Sequence, residues 1–511
     1  MAKALYRIKT MLRFLQKIRN KVNLRMKEKY SANLVGVSAA ILCVLLLIIM
    51  LFVPPYLGVA DDGSISKVMN SSGIYYVEDK AEDIYNNYFI KTYTTVSKDN
   101  NVKDDYMSSQ VIMVKLAVAV DNFFTQDNYF DIRVLSLIYG LLFIPAIWLI
   151  VTQAALRVLF FSEGFIIGIV GVVIFADVSY ITYFSSFYPE AIWHISFLYC
   201  VGLGLSLCRK RFREVKIVLF TIFGVILTTS KWQCGVIGLL LAALCVKKIF
   251  LDQRVIWKIT CILMAFILSI TTFVSYFTIE DDFTITSKYH AMTRGVLFQS
   301  KNPEETLKEF NIDASYSILA DTSSYNNYPL VDANNNLLKE DFLDKYNTRD
   351  IVFYYVKHPL SMIGMLDISV KSAFNIRRDY SGNYEKSTGM KEKAKSLFWS
   401  SFSTFKVRSA PRTIGYLIIL VIACFMLFGE RRKLGVRKDE SKEIYLDVMI
   451  LVLCIGLSQG VITIIRSGDA EMIQHGFILG AAIDIITYFA FAEILHKLNI
   501  IEGREDTKNG V

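Results

Sequence analysis

Charged residues are scarce in this chain. Only 20% of its 511 residues are Asp, Glu, Lys or Arg, whereas 53% are hydrophobic, and the mean hydropathy is +0.40. A water-soluble protein of this length carries far more polar surface. The composition therefore excludes a soluble globular protein and indicates that a lipid bilayer covers much of the surface.

Cysteine is also sparse. All 8 cysteines lie in or beside apolar runs, and the sequence has no CxxC or Cys/His spacing that is typical of a metal site. We therefore expect buried, unpaired thiols rather than a disulfide framework. No small-residue cleavage site follows the first apolar run, which predicts an anchor and not a removed signal peptide.

Long apolar runs dominate what is present. Most of them are long enough to cross about 30 Å of hydrocarbon as a helix. They fall near residues 33–53, 134–152, 158–176, 190–208, 216–230, 233–247, 256–278, 412–428, 444–465 and 474–495. Lys231 leaves the fifth and sixth runs short, and one broken or re-entrant element is the alternative there. The sequence predicts an all-α polytopic membrane protein with about ten transmembrane helices.

Positive charge is distributed in a way that predicts orientation. Ten Lys or Arg precede the first run against the single acid Glu28, and further basic clusters follow even-numbered runs. Because Lys and Arg are retained on the cytoplasmic side, both termini are expected there, in a bacterial plasma membrane. Topology and anionic lipid then explain the net charge of +9, and nucleic acid is not an expected partner.

This topology divides the chain into membrane and loop segments. The segments are a basic N-terminus (1–32), a first transmembrane helix (33–53), a first external loop (54–133), transmembrane helices (134–278), a second external loop (279–411), C-terminal transmembrane helices (412–495) and a cytoplasmic tail (496–511). Function is expected in the two large external loops. Within them, Val111–Phe124 reads as an amphipathic helix at the membrane surface, and 351–368 has helical spacing broken at His358-Pro359.

Two acids follow the first span on a short proline-containing stem. Asp61 and Asp62 are placed just above the hydrocarbon, where a carboxylate can act as general base toward a sugar hydroxyl. One of them can instead bind a divalent cation, Mg²⁺ or Mn²⁺. A solvated Asp-Asp-Gly turn is the structural alternative. No cofactor is otherwise indicated, and metal dependence stays open.

Aromatic and charged residues recur at other points of the same face. Tyr183 and Tyr188 suit both a membrane interface and stacking on sugars, and Glu190 begins a span where an acid is costly. Lys231, next to Gln233, suits a lipid phosphate, although snorkelling also explains it. An aromatic belt is the alternative for the tyrosines.

The last outer turn and the second loop supply further candidates. The turn contains Arg466, Asp469, Glu471 and His475, and a solvated turn is the alternative. In the second loop, Arg377-Arg378 can hold a phosphate through bidentate hydrogen bonds, although exposed arginines often bind nothing specific.

Several short motifs together resemble the GT-C fold of polyprenyl-phosphate-sugar-dependent glycosyltransferases, in particular a bacterial cell-surface glycan hexosyltransferase group. The segments that carry the resemblance are Ala60-Asp61-Asp62-Gly63-Ser64, Ser185-Ser186-Phe187-Tyr188-Pro189-Glu190, Lys231 with Gln233, Gly295-Val296-Leu297, Gly382-Asn383-Tyr384-Glu385, and Gly468-Asp469-Ala470-Glu471 with His475. The group carries an Asp where this chain has Ser64, and the acids of this chain, Asp61 and Asp62, stand earlier.

The resemblance implies a function for these residues. Asp61 or Asp62, assisted by Glu190, is expected to deprotonate an acceptor hydroxyl, which attacks the anomeric carbon of a polyprenyl-phosphate-linked sugar with inversion. Lys231, Arg377 and Arg466 are expected to bind the donor phosphate. Tyr183, Tyr188, Gln233, Asp469, Glu471 and His475 are expected to bind substrate. The transferred sugar is expected to be a hexose, and it passes to a cell-surface glycan or lipid-linked acceptor on the outer face of the membrane. The alternatives are a lipid-linked polysaccharide polymerase or ligase, and a lipid-linked glycan transporter or flippase.

Overall fold

A computed structural model describes most of the chain. The described residues are 32–77, 83–96, 106–156, 158, 161–278, 285–324, 335–378, 380–429, 440–470 and 472–508. The basic segment before the first span lies outside them, as does most of the Asn-rich part of the second loop.

The described chain is mostly helical. In chain order its α-helices are α1 (Ala32–Leu47), α2 (Ser66–Ser72), α3 (Ser109–Thr125), α4 (Arg133–Ala155), α5 (Phe161–Phe175), α6 (Val178–Ile181), α7 (Glu190–Ser206), α8 (Arg213–Thr228), α9 (Gly235–Lys248), α10 (Val255–Thr278), α11 (Ile285–His290), α12 (Pro303–Glu309), α13 (Asn336–Asp341), α14 (Thr348–Lys357), α15 (Pro359–Ala373), α16 (Ser401–Ser409), α17 (Ile414–Phe428), α18 (Glu440–Ser467), α19 (Met472–His475) and α20 (Phe477–Lys508). A π-helical turn, Ile48–Phe52, continues α1, and another, Ala291–Val296, continues α11.

The prediction of a polytopic membrane protein is confirmed. Six helical segments of the described chain are long and apolar enough to cross a bilayer, and two bent helix pairs raise the number to eight. One of the pairs, α16 with α17, is bent by 117°. The two remaining runs form α7 and α8, of 17 and 16 residues, which are shorter than the usual span. The count of about ten is therefore supported only in part.

The helices pack as a bundle because they are apolar nearly all round. α1 packs against α4, α4 against α7, α7 against α8, α9 against α10, and α18 against α20. Small residues permit the close contacts that membrane helices use. At Gly36 of α1, a Cβ atom would lie 2.1 Å from Thr152 Oγ1 and 2.7 Å from the Trp148 carbonyl oxygen of α4. Both long loops lie at one end of this bundle, which we call the loop end.

The first loop is built onto the core of the bundle. Three short antiparallel strands, β1 (Tyr75–Tyr76), β2 (Thr92–Thr94) and β3 (Tyr129–Asp131), form a sheet in the order β1-β2-β3. The helix predicted over Val111–Phe124 is confirmed as α3, whose N-terminus is capped by the Ser108 hydroxyl. Its position on a membrane surface stays a prediction.

The second loop has a hydrophobic core of its own. Residues of α11 to α15 form this second-loop core together with Ile464 of α18 and Met472 of α19. As predicted, the helical pattern over 351–368 is divided at His358-Pro359, where α14 ends and α15 begins. Proline fits the first turn of α15 because that turn needs no backbone N–H donor.

Backbone hydrogen bonds join the two loops into one structure. Ala60 N donates to the Gly382 carbonyl (2.9 Å), and Gly58 N donates to the Asn383 carbonyl (3.1 Å). On the other side of the same segment, Gly382 N donates to the Asn86 carbonyl (2.8 Å). Residues 382–384 thus lie between 58–60 and 86–89, and we call this arrangement the interloop ladder. It fixes the stem that carries Asp61 and Asp62.

Candidate functional site

A cavity of about 300 Å³ opens at the loop end of the bundle. It lies where the first loop meets the short connections between α6 and α7 and between α8 and α9, and the end of α18. Its lining comprises Gly63, Ser64, Ile65, Ser66, Lys67, Val68, Tyr106, Gln110, Phe187, Tyr188, Pro189, Ser230, Lys231, Trp232, Gln233, Ser287, Thr463, Arg466, Ser467, Gln474 and His475. Five sequence-predicted site residues are among them: Tyr188, Lys231, Gln233, Arg466 and His475.

Asp61 stands two residues before the first lining residue and is buried. Its Oδ1 accepts a hydrogen bond from Gly63 N (2.7 Å), and its Oδ2 accepts one from the Tyr76 hydroxyl. Gly63 has a φ of +91°, which favours glycine in the turn that brings its N–H to the carboxylate. Burial raises the pKa of the Asp61 carboxyl, and the hydrogen bonds from Tyr76 and Gly63 and the charge of Arg378 offset part of that rise.

Asp62 is held by a buried arginine of the second loop. Its Oδ2 is ion-paired with Arg378 Nη1, and its Oδ1 lies 2.9 Å from the Tyr188 hydroxyl. That hydroxyl also accepts a hydrogen bond from Asp62 N (2.8 Å). Arg378 is 1% exposed, with its Cζ 4.3 Å from the centre of the Tyr188 ring. Both acids are therefore fixed at the cavity margin rather than free in a solvated turn.

Glu190 lies behind the cavity, at the first turn of α7. It is fully buried, and its Oε1 lies 3.5 Å from Arg378 Nη2. Arg378 thus stands between two carboxylates, which its single charge cannot fully neutralise. The positive charge of Lys231 also reaches Glu190. The structure brings Asp61, Asp62 and Glu190 into one region, and Arg378 pairs with Asp62 and Glu190.

The charged side chains among the described lining residues of the cavity are basic. Lys67, Lys231 and Arg466 line it, and no described lining residue is Asp or Glu. Lys231 lies in the extended link after α8 and forms no ion pair with another described residue. The guanidinium of Arg466 lies over the Trp232 ring, 4.0 Å from Cζ to centroid. Cations with nearby hydroxyls and aromatic rings suit an anionic ligand such as a phosphate.

The remaining predicted residues lie outside the lining. Tyr183 is buried behind Tyr188, with its hydroxyl 3.4 Å from the Ile376 carbonyl oxygen. Arg377 donates hydrogen bonds to Asn383 Oδ1 (3.0 Å) and to the Ser396 carbonyl oxygen (2.8 Å). These bonds connect residues within the second loop. Asp469 forms a bidentate pair with Arg294 (2.6 and 2.7 Å). Glu471 lies outside the described residues.

Comparison with known proteins gives one family. The model of the YfdI N-terminal transmembrane domain matches residues 18–511, nearly the whole chain. The chain belongs to this family. No curated protein and no solved structure gives a significant match.

The positions of the possible metal ligands give little support for metal binding by this member of the YfdI family. Among the described residues, no three or more His, Cys, Asp or Glu side chains are grouped to hold an ion. A divalent cation at Asp62 would have to displace Arg378, whose charge repels it. Of the two acids, Asp61 is the one without an arginine ion pair.

Sequence reasoning named Arg377 and Arg378 together as candidates for a phosphate and did not identify the pairing of Arg378 with the acids of the site. Arg377 and Arg378 are adjacent, and composition gives no reason to prefer either. The choice depends on the backbone after α15, which directs Arg378 inward to Asp62 and Arg377 toward Asn383. Tyr76 and Gln110 were missed because each lies in a segment without a recognisable motif. Gln110 is identified only by its bonds to the Phe187 carbonyl and Tyr139.

Proposed function

We propose that this protein is a membrane glycosyltransferase of GT-C type. It transfers a sugar from a polyprenyl-phosphate donor to a glycan or lipid-linked acceptor at the outer face of the bacterial plasma membrane, where the loop end would lie. The observation that carries the proposal is the pairing of a cationic cavity with a buried acid stem at its margin. The family is associated with membrane glycosyltransferase-like proteins, which supports the same conclusion.

Asp61 is the proposed general base. A base gains strength as its pKa rises, and burial raises the pKa of Asp61. Asp62 is committed to Arg378 and Tyr188, and its role is to hold the stem. Asp61 takes the proton of the acceptor hydroxyl, and the hydroxyl oxygen forms a bond to the anomeric carbon of the donor.

The bond from the anomeric carbon to the donor phosphate breaks in the same step. Polyprenyl phosphate leaves with the bonding electron pair, and attack from the opposite side inverts the anomeric configuration. Lys231 and Arg466 stabilise the charge that develops on the leaving phosphate. Tyr188, Gln233 and His475 line the same space and would contact the sugar.

A transfer assay with the full chain in lipid vesicles tests this function. Polyprenyl-phosphate-linked radiolabelled glucose, galactose and mannose are supplied in turn, with bacterial cell-envelope glycan as acceptor. We expect label in the glycan with one of the donors. Asp61→Asn should abolish this transfer, while Asp83→Asn, an acid of the same loop paired with Lys386, should retain it. Label that crosses the membrane on intact lipid would instead support a transporter, and label in neither form would contradict the proposal.

A further inference from the structure

An unusual apolar stripe runs along two helices of the second loop. Its members are Val352, Phe353, Val356, Leu360 and Ile363, which are 39–82% exposed. Phe353 and Val356 lie three residues apart in α14, and Leu360 and Ile363 lie three residues apart in α15, so each pair shares one face of its own helix. We call this surface the α14–α15 stripe.

The stripe faces away from the core that its helices help to form. Ile351, Tyr354 and Tyr355 of α14 and Met365 of α15 are buried in the second-loop core. The helix pair therefore has two apolar faces, and only one of them is covered by the chain itself. A contiguous apolar surface of this kind marks an interaction site.

Continuity with the bundle indicates what covers it. α15 packs against α17, α18 and α20. The Asp367 carboxylate of α15 accepts a hydrogen bond from Ile414 N (2.7 Å) and so holds the first turn of α17. α17 is apolar along its length and leaves Ile418 and Ile422 exposed on the outside of the bundle. In a membrane protein, such side chains face lipid.

We propose that the α14–α15 stripe lies in the interface of the lipid bilayer at the loop end. Because α15 meets the first turn of a membrane helix, the stripe begins at the height where the hydrocarbon begins. Helices that lie in an interface bury one apolar face among the acyl chains and keep their other face for protein or water. The second-loop core would then rest on the membrane and not project freely from it.

This contact reaches the cavity through a short series of packed atoms. A Cβ atom on Gly295 would lie 3.2 Å from the Tyr355 hydroxyl and 3.3 Å from Gly468 Cα. Ser467, next to Gly468, lines the cavity. The bilayer would therefore hold α14, and through Tyr355 the edge of the cavity, at a fixed depth.

Fluorescence quenching by nitroxide-labelled phospholipid tests the proposal without any assay of activity. Val356→Cys and Leu360→Cys are made in the full chain with Cys454→Ser, which removes the exposed native cysteine. Each is labelled with an environment-sensitive fluorophore in phosphatidylcholine vesicles. The matched control is Leu337→Cys on α13, whose side chain is 68% exposed. The parent chain measures labelling of the other native cysteines.

We expect acyl-chain nitroxides to quench the labels at 356 and 360 at least twofold more than the label at 337. Equal quenching at all three positions would overturn the proposal. So would an apolar emission at 360 that the nitroxide lipids leave unquenched, because a protein partner or a second copy of this chain would then cover the stripe.

Discussion

Arg378 stacks over Tyr188 while both side chains meet the carboxylate of Asp62. The stacking distance is 4.3 Å from Cζ to the ring centroid, and the Tyr188 hydroxyl lies 2.9 Å from Asp62 Oδ1. Cation–π contact and ion pairing therefore act on the same guanidinium. Removing that guanidinium affects two loops and a membrane helix at once, because Glu190 of α7 faces it as well.

Arg378→Ala should destabilise the protein as well as inactivate it. The change leaves Asp62 and Glu190 without their shared cation, and breaking a buried ion pair in this way costs about 3–5 kcal/mol. Thermal unfolding of the protein in vesicles measures the loss. Arg349→Ala, at an exposed position of α14, serves as control. A melting temperature equal to that of the parent would contradict the assigned role of Arg378.

Asp61→Asn should remove transfer without lowering stability. Loss of a general base typically costs about 10²–10⁴-fold in rate. Burial raises the pKa of the folded Asp61 carboxyl, so its contribution to stability is fully present below the unfolded pKa and is lost as the pH rises through the folded value. At neutral pH the neutral amide therefore avoids the burial of a charge. Transfer rate and melting temperature are measured on one preparation, and we expect the rate to fall while the melting temperature does not.

The pKa of the Asp61 carboxyl should also set the acidic limb of the pH dependence of activity. Asp61 must be ionised to accept a proton, and its raised pKa moves the loss of activity to a higher pH than for an ordinary aspartate, whose pKa is about 3.9. Tyr76→Phe removes a hydrogen bond that lowers this pKa, so the acidic limb should shift further upward. The pH dependence of kcat/KM for parent and Tyr76→Phe provides the measurement, and a shift to lower pH would refute the assignment.

Lys231→Gln should weaken binding of the donor. A hydrogen bond to a charged group contributes about 1.5–3 kcal/mol, which corresponds to about 10–150-fold in kcat/KM. Lys231→Arg should restore part of the loss because it restores the charge. Lys210→Gln, an exposed lysine at the opposite end of the bundle, should have no effect. If Lys231 only snorkels to the membrane surface, its removal will leave kcat/KM unchanged.

Gly382→Ala should disturb the interloop ladder. A Cβ atom at this position would lie 2.2 Å from the Asn87 carbonyl oxygen, and a backbone atom cannot turn aside as a flexible side chain can. Overpacking of this kind costs about 1–3 kcal/mol. Gly415→Ala is the control, since its Cβ would meet only the Thr413 side chain, at 3.5 Å. Equal melting temperatures and equal activities for the two variants would contradict the ladder's role.

The sequence predicts membrane helices well and the site only in part. Apolar length identifies a span such as α4 without knowledge of its neighbours. A local motif likewise identifies Tyr188 and Lys231, which do line the cavity. The pairing of Arg378 with Asp62 could not be found this way, because the two residues are 316 positions apart in the chain. Asp469 was predicted to bind substrate. Its ion pair with Arg294, which is 175 residues away in the chain, could not be found from a local motif either.

The interloop ladder also sets an order of assembly. Asp61 and Asp62 are translated long before Gly382 and Asn383, whose backbone holds their stem. Domains form progressively during synthesis, but the stem of this acid pair is held in place only once about three-quarters of the 511-residue chain is made. A nascent chain would thus insert most of its apolar helices into the bilayer before the stem of Asp61 and Asp62 could reach its final position.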